Sequence, residues 1–162
     1  MARSKLVQME RTLSLATRFL GEMREEIDRA VAVGSDIPPR VRSVHERPGH
    51  ATPEFRTLAI PVSESMGGVS PEVLSGTIAR YAAQKDPDCL LLALEAVMER
   101  GDGESGPVLI AEARDRVGTR IFWIQAYTAR DGRVAWDEPI GDGWRDPGEE
   151  EMILDAAFSR RR

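Results

Sequence analysis

The stretch that decides the fold runs from residue 88 to residue 138 and reads DCLLLALEAVMERGDGESGPVLIAEARDRVGTRIFWIQAYTARDGRVAWDE. It contains four runs of strand length separated by short turns. The first run, Cys89–Met98, is apolar on both alternating faces apart from Glu95, which is typical of a strand covered on both sides. A helix is the competing interpretation, because Leu, Ala, Met and Glu are good helix formers. Turn residues on either side of the run favour a strand.

Two hairpins are predicted after that run. The segments Val108–Arg116 and Thr119–Thr128 flank a turn at Val117-Gly118, and a second turn follows at Asp131-Gly132. Asp-Gly between alternating runs is a strong hairpin signal, because both residues tolerate positive φ. The sequence therefore predicts a meandering antiparallel sheet.

The length of the first turn sets which side chains share a face of this sheet. A two-residue loop places Ala113 opposite Phe122, and the second hairpin places Tyr127 opposite Trp136. One face is then small and apolar, whereas the other mixes aromatic and polar side chains, as many binding faces do. The candidate ligand or partner residues on that face are Glu112, Trp123, Gln125, Tyr127, Trp136 and Glu138. The alternative is ordinary cross-strand aromatic pairing beneath a covering helix or loop.

A long amphipathic helix is predicted over Ser4–Val33, with Gly34 ending it. Its apolar residues recur at alternating spacings of three and four: Leu6, Met9, Leu13, Ala16, Leu20, Met23, Ile27 and Ala30. Such a seam suits a coiled-coil dimer or a helix lying along its own sheet, and the sequence does not separate the two. The candidate oligomerisation residues are Leu6, Met9, Leu13, Leu20, Met23 and Ile27.

The chain divides into three predicted segments: the N-terminal helix (1–34), a Pro- and Arg-rich connector (35–54) and a sheet domain (55–162). Four prolines in the connector predict an extended, exposed segment that is mobile or wrapped on a partner. An edge strand is predicted at Phe55–Val62, and helices are predicted at Ser70–Lys85 and Gly148–Arg160. The predicted class is α+β, with an antiparallel sheet of four to five strands, two covering helices and a long N-terminal helix.

The composition of the chain indicates which cellular compartment and which class of partner to expect. The net charge is −5, and residues 87–162 carry −6, so nucleic acid is not an expected partner of the sheet domain. A single cysteine, Cys89, excludes an internal disulfide. No run has the length of a membrane span, and the first residues lack the apolar core of a signal peptide. We therefore expect a cytoplasmic protein whose partner is itself or another protein, with no membrane partner.

No motif specifies a reaction. His45 and His50 differ from the zinc-protease His-Glu-x-x-His spacing by one residue, and Pro48 breaks the helix that such a site needs, so no metal site and no cofactor are predicted. We assign no catalytic residues. The sequence favours a non-catalytic protein-interaction or assembly module over an enzyme. The alternative is a small enzyme or ligand-binding domain that uses carboxylates on the aromatic strand face.

Overall fold

A computed structural model describes residues 2–61, 70–101 and 103–159, and it confirms the α+β class. In chain order the elements are α1 (Ala2–Val33), β1 (Arg40–His45), β2 (Glu54–Ala59), α2 (Pro71–Lys85), β3 (Cys89–Glu99), β4 (Ser105–Asp115), β5 (Arg120–Arg130), β6 (Arg133–Trp136) and two 3₁₀ helices, Ile140–Asp142 and Ile153–Phe158. The strands form one sheet in the order β2-β1-β3-β4-β5-β6, and each neighbouring pair is antiparallel.

The sheet has six strands instead of the predicted four to five, because the predicted connector contains β1. This strand lies inside the sheet, between β2 and β3, and its Val41 and Val44 are buried on opposite faces. The expectation of an exposed segment without strand structure was therefore wrong. No proline lies between Pro39 and Pro48, so the six residues of β1 can pair with neighbouring strands. The predicted edge strand Phe55–Val62 is β2, although Val62 lies outside the described residues.

The predicted C-terminal helix, Gly148–Arg160, was also wrong in its start and its type. Gly148 has a φ of 63°, outside the helical region, and the Asp146 carboxylate accepts a hydrogen bond from its amide in a turn. The helical part is the short 3₁₀ helix that begins at Ile153. The other covering helix is confirmed as α2, where the Ser70 hydroxyl caps the first turn by accepting from the Val73 amide.

Two hydrophobic layers cover β3, as its apolar sequence predicts. On one face, α1 packs Phe19, Leu20, Met23 and Ile27 against a set of strand residues that includes Leu91, Ala93, Leu109, Ala111 and Ala113. On the other face, α2 and the C-terminal 3₁₀ helix pack Leu74, Ile78 and Leu154 against Val41, Leu90 and Leu92. The C-terminal two-thirds of α1 therefore lies along its own sheet. Gly34, with a φ of 70°, ends it as predicted.

A buried polar contact fixes α1 to the turn between β4 and β5. Asp115 is 1% exposed, and one of its carboxylate oxygens accepts from the Thr12 hydroxyl at 2.7 Å. The other oxygen accepts from the amides of Val117 and Thr119 at 3.0 and 2.8 Å. One carboxylate therefore holds both the turn and the helix.

We expect Asp115→Ala to lower the free energy of unfolding by about 3 kcal/mol, because the Thr12 hydroxyl and two turn amides lose their acceptor. Urea unfolding followed by circular dichroism measures the change. Asp137→Ala is the matched control, since its side chain is exposed. Equal losses in the two variants would contradict a structural role for Asp115.

Candidate functional site

The register between β4 and β5 differs by one residue from the predicted one. Ala113 lies opposite Ile121 instead of Phe122, and Ala111 lies opposite Trp123. The turn is wider than the two residues Val117-Gly118, because the Asp115 carboxylate binds two amides inside it. A shift of one residue exchanges the faces of a whole strand. The small apolar residues of β4 and the aromatic residues of β5 therefore share one face, the one that α1 covers.

Glu112 consequently lies on the opposite face of the sheet from Trp123, Tyr127 and Trp136. It is 8% exposed and accepts hydrogen bonds from the amides of Ile153 and Leu154 at 3.2 and 3.0 Å. Burial raises the pKa of its carboxyl above the usual value, and the two amides oppose that shift. Glu112 thus caps the start of the C-terminal 3₁₀ helix and attaches it to the sheet.

Four other residues of the predicted face lie beneath α1: Trp123, Gln125, Tyr127 and Trp136. The Tyr127 and Trp136 rings lie 4.9 Å apart, which confirms their predicted pairing, and Tyr127 is buried. The buried Gln125 side chain accepts from the Trp123 indole at 3.1 Å and donates to the Asp137 carbonyl at 2.8 Å. Glu138 is exposed and lies beyond the end of β6. The six predicted residues therefore do not form one surface.

The indole ring of Trp123 packs in the hydrophobic layer beneath α1. Its ring lies 5.3 Å from that of Trp144, and Arg24 of α1 approaches it from the helix side. We expect Trp123→Ala to lower the free energy of unfolding by about 3 kcal/mol, since an aromatic side chain is removed from a packed layer. Urea melts measure the loss, and Trp123→Phe should lose less. A fully stable Trp123→Ala protein would show that the ring is dispensable for the core.

Glu95 is the carboxylate that interrupts the apolar run of β3. It is half-buried, and the Tyr127 hydroxyl donates a hydrogen bond to it. Burial raises the pKa of Glu95, the Tyr127 hydrogen bond opposes this shift, and the negative charge of Asp36 adds to it. In the described structure Glu95 is thus a hydrogen-bonded residue at the edge of the α1 layer.

The raised pKa of Glu95 gives a pH-dependent prediction. The folded chain holds the Glu95 proton more tightly than the unfolded chain, so stability is lost as the pH rises through the folded pKa. We expect Glu95→Gln, which cannot ionise, to raise the melting temperature at neutral pH and to have less effect below the ordinary pKa of 4.5. Thermal melts across this range test it against Glu99→Gln, an exposed position on the same strand. A lower melting temperature for Glu95→Gln at neutral pH would contradict the prediction.

The N-terminal part of α1 presents apolar side chains that its own sheet does not cover. Leu6, Met9 and Leu13 are 55%, 50% and 42% exposed, and Val7 beside them is exposed as well. Burial begins at Thr12 and Ala16, where the helix reaches the sheet. We call Leu6, Val7, Met9 and Leu13 the N-terminal apolar patch.

Cys89 and the two histidines are the remaining residue types with reactive or metal-binding potential. Burial raises the pKa of the Cys89 thiol to about 12, with a further contribution from Asp115, so this thiol is not a ready nucleophile. His45 Nε2 lies 2.9 Å from the Lys85 carbonyl oxygen, whereas His50 is in an exposed turn. Within residues 2–61, 70–101 and 103–159, no three His, Cys, Asp or Glu side chains converge as a metal site would require.

Comparison of the chain with protein-family models, curated proteins and solved structures finds no match. None of the helices in the described ranges combines the length and apolarity needed to cross a bilayer. A groove beside α2 was missed by sequence reasoning, because β1, β2 and α2 each contribute residues to it and no local motif marks them.

Proposed function

We propose that this protein is a non-catalytic assembly module that pairs with a second copy of itself through the N-terminal apolar patch. The proposal rests on one observation: the apolar seam of α1 is buried in one part of the helix and exposed in the other. From Ala16 onward the seam is buried on the chain's own sheet, whereas Leu6, Met9 and Leu13 continue it without cover. An apolar seam with three-four spacing is suited to a second helix.

The seam is suited to an identical partner because its flanks are self-complementary. With Leu6 and Leu13 at a positions and Met9 at d, Lys5 takes a g position and Glu10 the following e position. In a parallel pair of such helices, Lys5 of one copy lies across from Glu10 of the other, and the same contact repeats by symmetry. Both side chains are exposed and so are accessible for this contact.

The size of the patch sets the strength of the association. Its four side chains expose on the order of 400 Å², against roughly 800 Å² per partner in an interface of standard size. We therefore expect a dimer that dissociates on dilution, unless further surfaces join it.

The alternative, an enzyme or ligand-binding domain on the aromatic strand face, has less support. Its aromatic rings pack beneath α1, and Glu112 lies across the sheet from them. We also propose a cytoplasmic location and a protein partner, on the basis of the single buried thiol and the acidic sheet domain.

We expect the wild type to sediment as a mixture of monomer and dimer whose dimer fraction rises with protein concentration. Leu6→Asp combined with Met9→Asp should give a monomer at all concentrations, because negative charges of the two copies would then face each other at both positions of the seam. Both positions are exposed, so the fold is retained. Analytical ultracentrifugation over a wide concentration range measures the shift.

Val33→Asp is the matched control, since Val33 is 76% exposed at the other end of the same helix. It should dimerise like the wild type. A wild type that stays monomeric at high concentration, or a control that dissociates as fully as the double variant, would overturn the proposal. Leu20 is unsuitable for this test because it is buried in the core.

A further inference from the structure

A groove of about 450 Å³ lies between α2 and the hairpin of β1 and β2. The alternation of β1 places Ser43 and His45 on the face toward α2, where Tyr81 and Lys85 project from the helix. The register of the hairpin sets Arg56 directly opposite Ser43. Three elements thus bring polar side chains to one place beside the outer edge of the sheet.

The charges along this groove do not cancel. Arg47 and Glu54 pair with each other at 3.0 Å, so their charges offset one another. Arg56 and Lys85 also line the groove, and neither side chain forms an ion pair with any described residue. The groove therefore carries an excess of positive charge in a chain whose net charge is −5.

Neutral hydrogen-bond donors lie among these cations. The hydroxyl groups of Ser43 and Tyr81 are 2.9 Å apart, and Ser43 is fully buried. When the Ser43 hydroxyl donates to Tyr81, the Tyr81 hydroxyl hydrogen is left to donate to a ligand in the groove. A carbonyl oxygen can only accept, so His45 Nε2 donates to the Lys85 carbonyl, which fixes the orientation of the imidazole ring.

We propose that this groove binds the oxyanion group, phosphate or carboxylate, of a small molecule. The Arg56 guanidinium presents a planar fork of donors that matches either group, and the Lys85 ammonium adds a second charge. The volume is in the range of small-molecule sites. This site is separate from the N-terminal apolar patch, and its ligand binding does not depend on the assembly proposed above.

Titrations with inorganic phosphate and with acetate, at constant ionic strength and followed by ¹H–¹⁵N NMR, test the site. We expect saturable shifts of backbone amides in Ser43–His45, Glu54–Arg56 and Tyr81–Lys85 with at least one of the two anions. Saturation by phosphate alone would assign a phosphate ligand, and saturation by acetate alone would assign a carboxylate. Saturation by both would support the shared oxyanion chemistry.

Arg56→Gln and Lys85→Gln should each weaken the saturating anion by about tenfold, the effect of losing one charge-assisted hydrogen bond. Both side chains are exposed, so the fold is retained, which the spectra themselves verify. Arg130→Gln, an exposed arginine near the opposite edge of the sheet, is the matched control and should bind as the wild type does. Shifts that do not saturate, or an equal loss in Arg130→Gln, would overturn the proposal.

Discussion

The burial of β3 on both faces is the constraint on which the rest of the structure depends. Cys89, Leu91 and Ala93 point toward α1, whereas Leu90, Leu92 and Leu94 point toward α2. A strand that is apolar on both faces is stable only with cover on each side. The helix α1 provides the cover on one face, and α2 with the C-terminal 3₁₀ helix provides it on the other. The seam of α1 is for this reason used within the chain over most of its length.

Carboxylates on the sheet accept hydrogen bonds from the helical and loop segments that pack against it. Asp115 joins α1 to the turn between β4 and β5, and Glu112 holds the start of the C-terminal 3₁₀ helix. Beside it, Asp155 pairs with Arg120 at 2.7 Å and with Arg114 at 3.1 Å. Carboxylates that are buried or partly buried are costly without partners, and here the donors are supplied by amides, a hydroxyl and arginines. Their roles are therefore explained by the fold alone.

The two surfaces proposed for function are those that the core does not use. The N-terminal apolar patch extends beyond the point where α1 meets the sheet, and the cationic groove lies near the edge strand β2. One offers apolar side chains in a repeat suited to a second helix, and the other offers uncompensated positive charge with hydroxyl donors. The two surfaces share no residue.

The sequence by itself determined the elements whose signals are local. The three-four spacing of α1, the cap at Ser70 and the apolar run of β3 each gave an element of the predicted type, because helix and strand periodicities depend on neighbouring residues. Only the tertiary structure decided the rest. The width of the turn at Asp115 depends on hydrogen bonds within the folded loop, and it moved Glu112 to the other face from Trp123. The pairing of β1 with β3 joins segments more than forty residues apart, and the meeting of Ser43, Arg56 and Lys85 in one groove follows from that pairing and from the packing of α2.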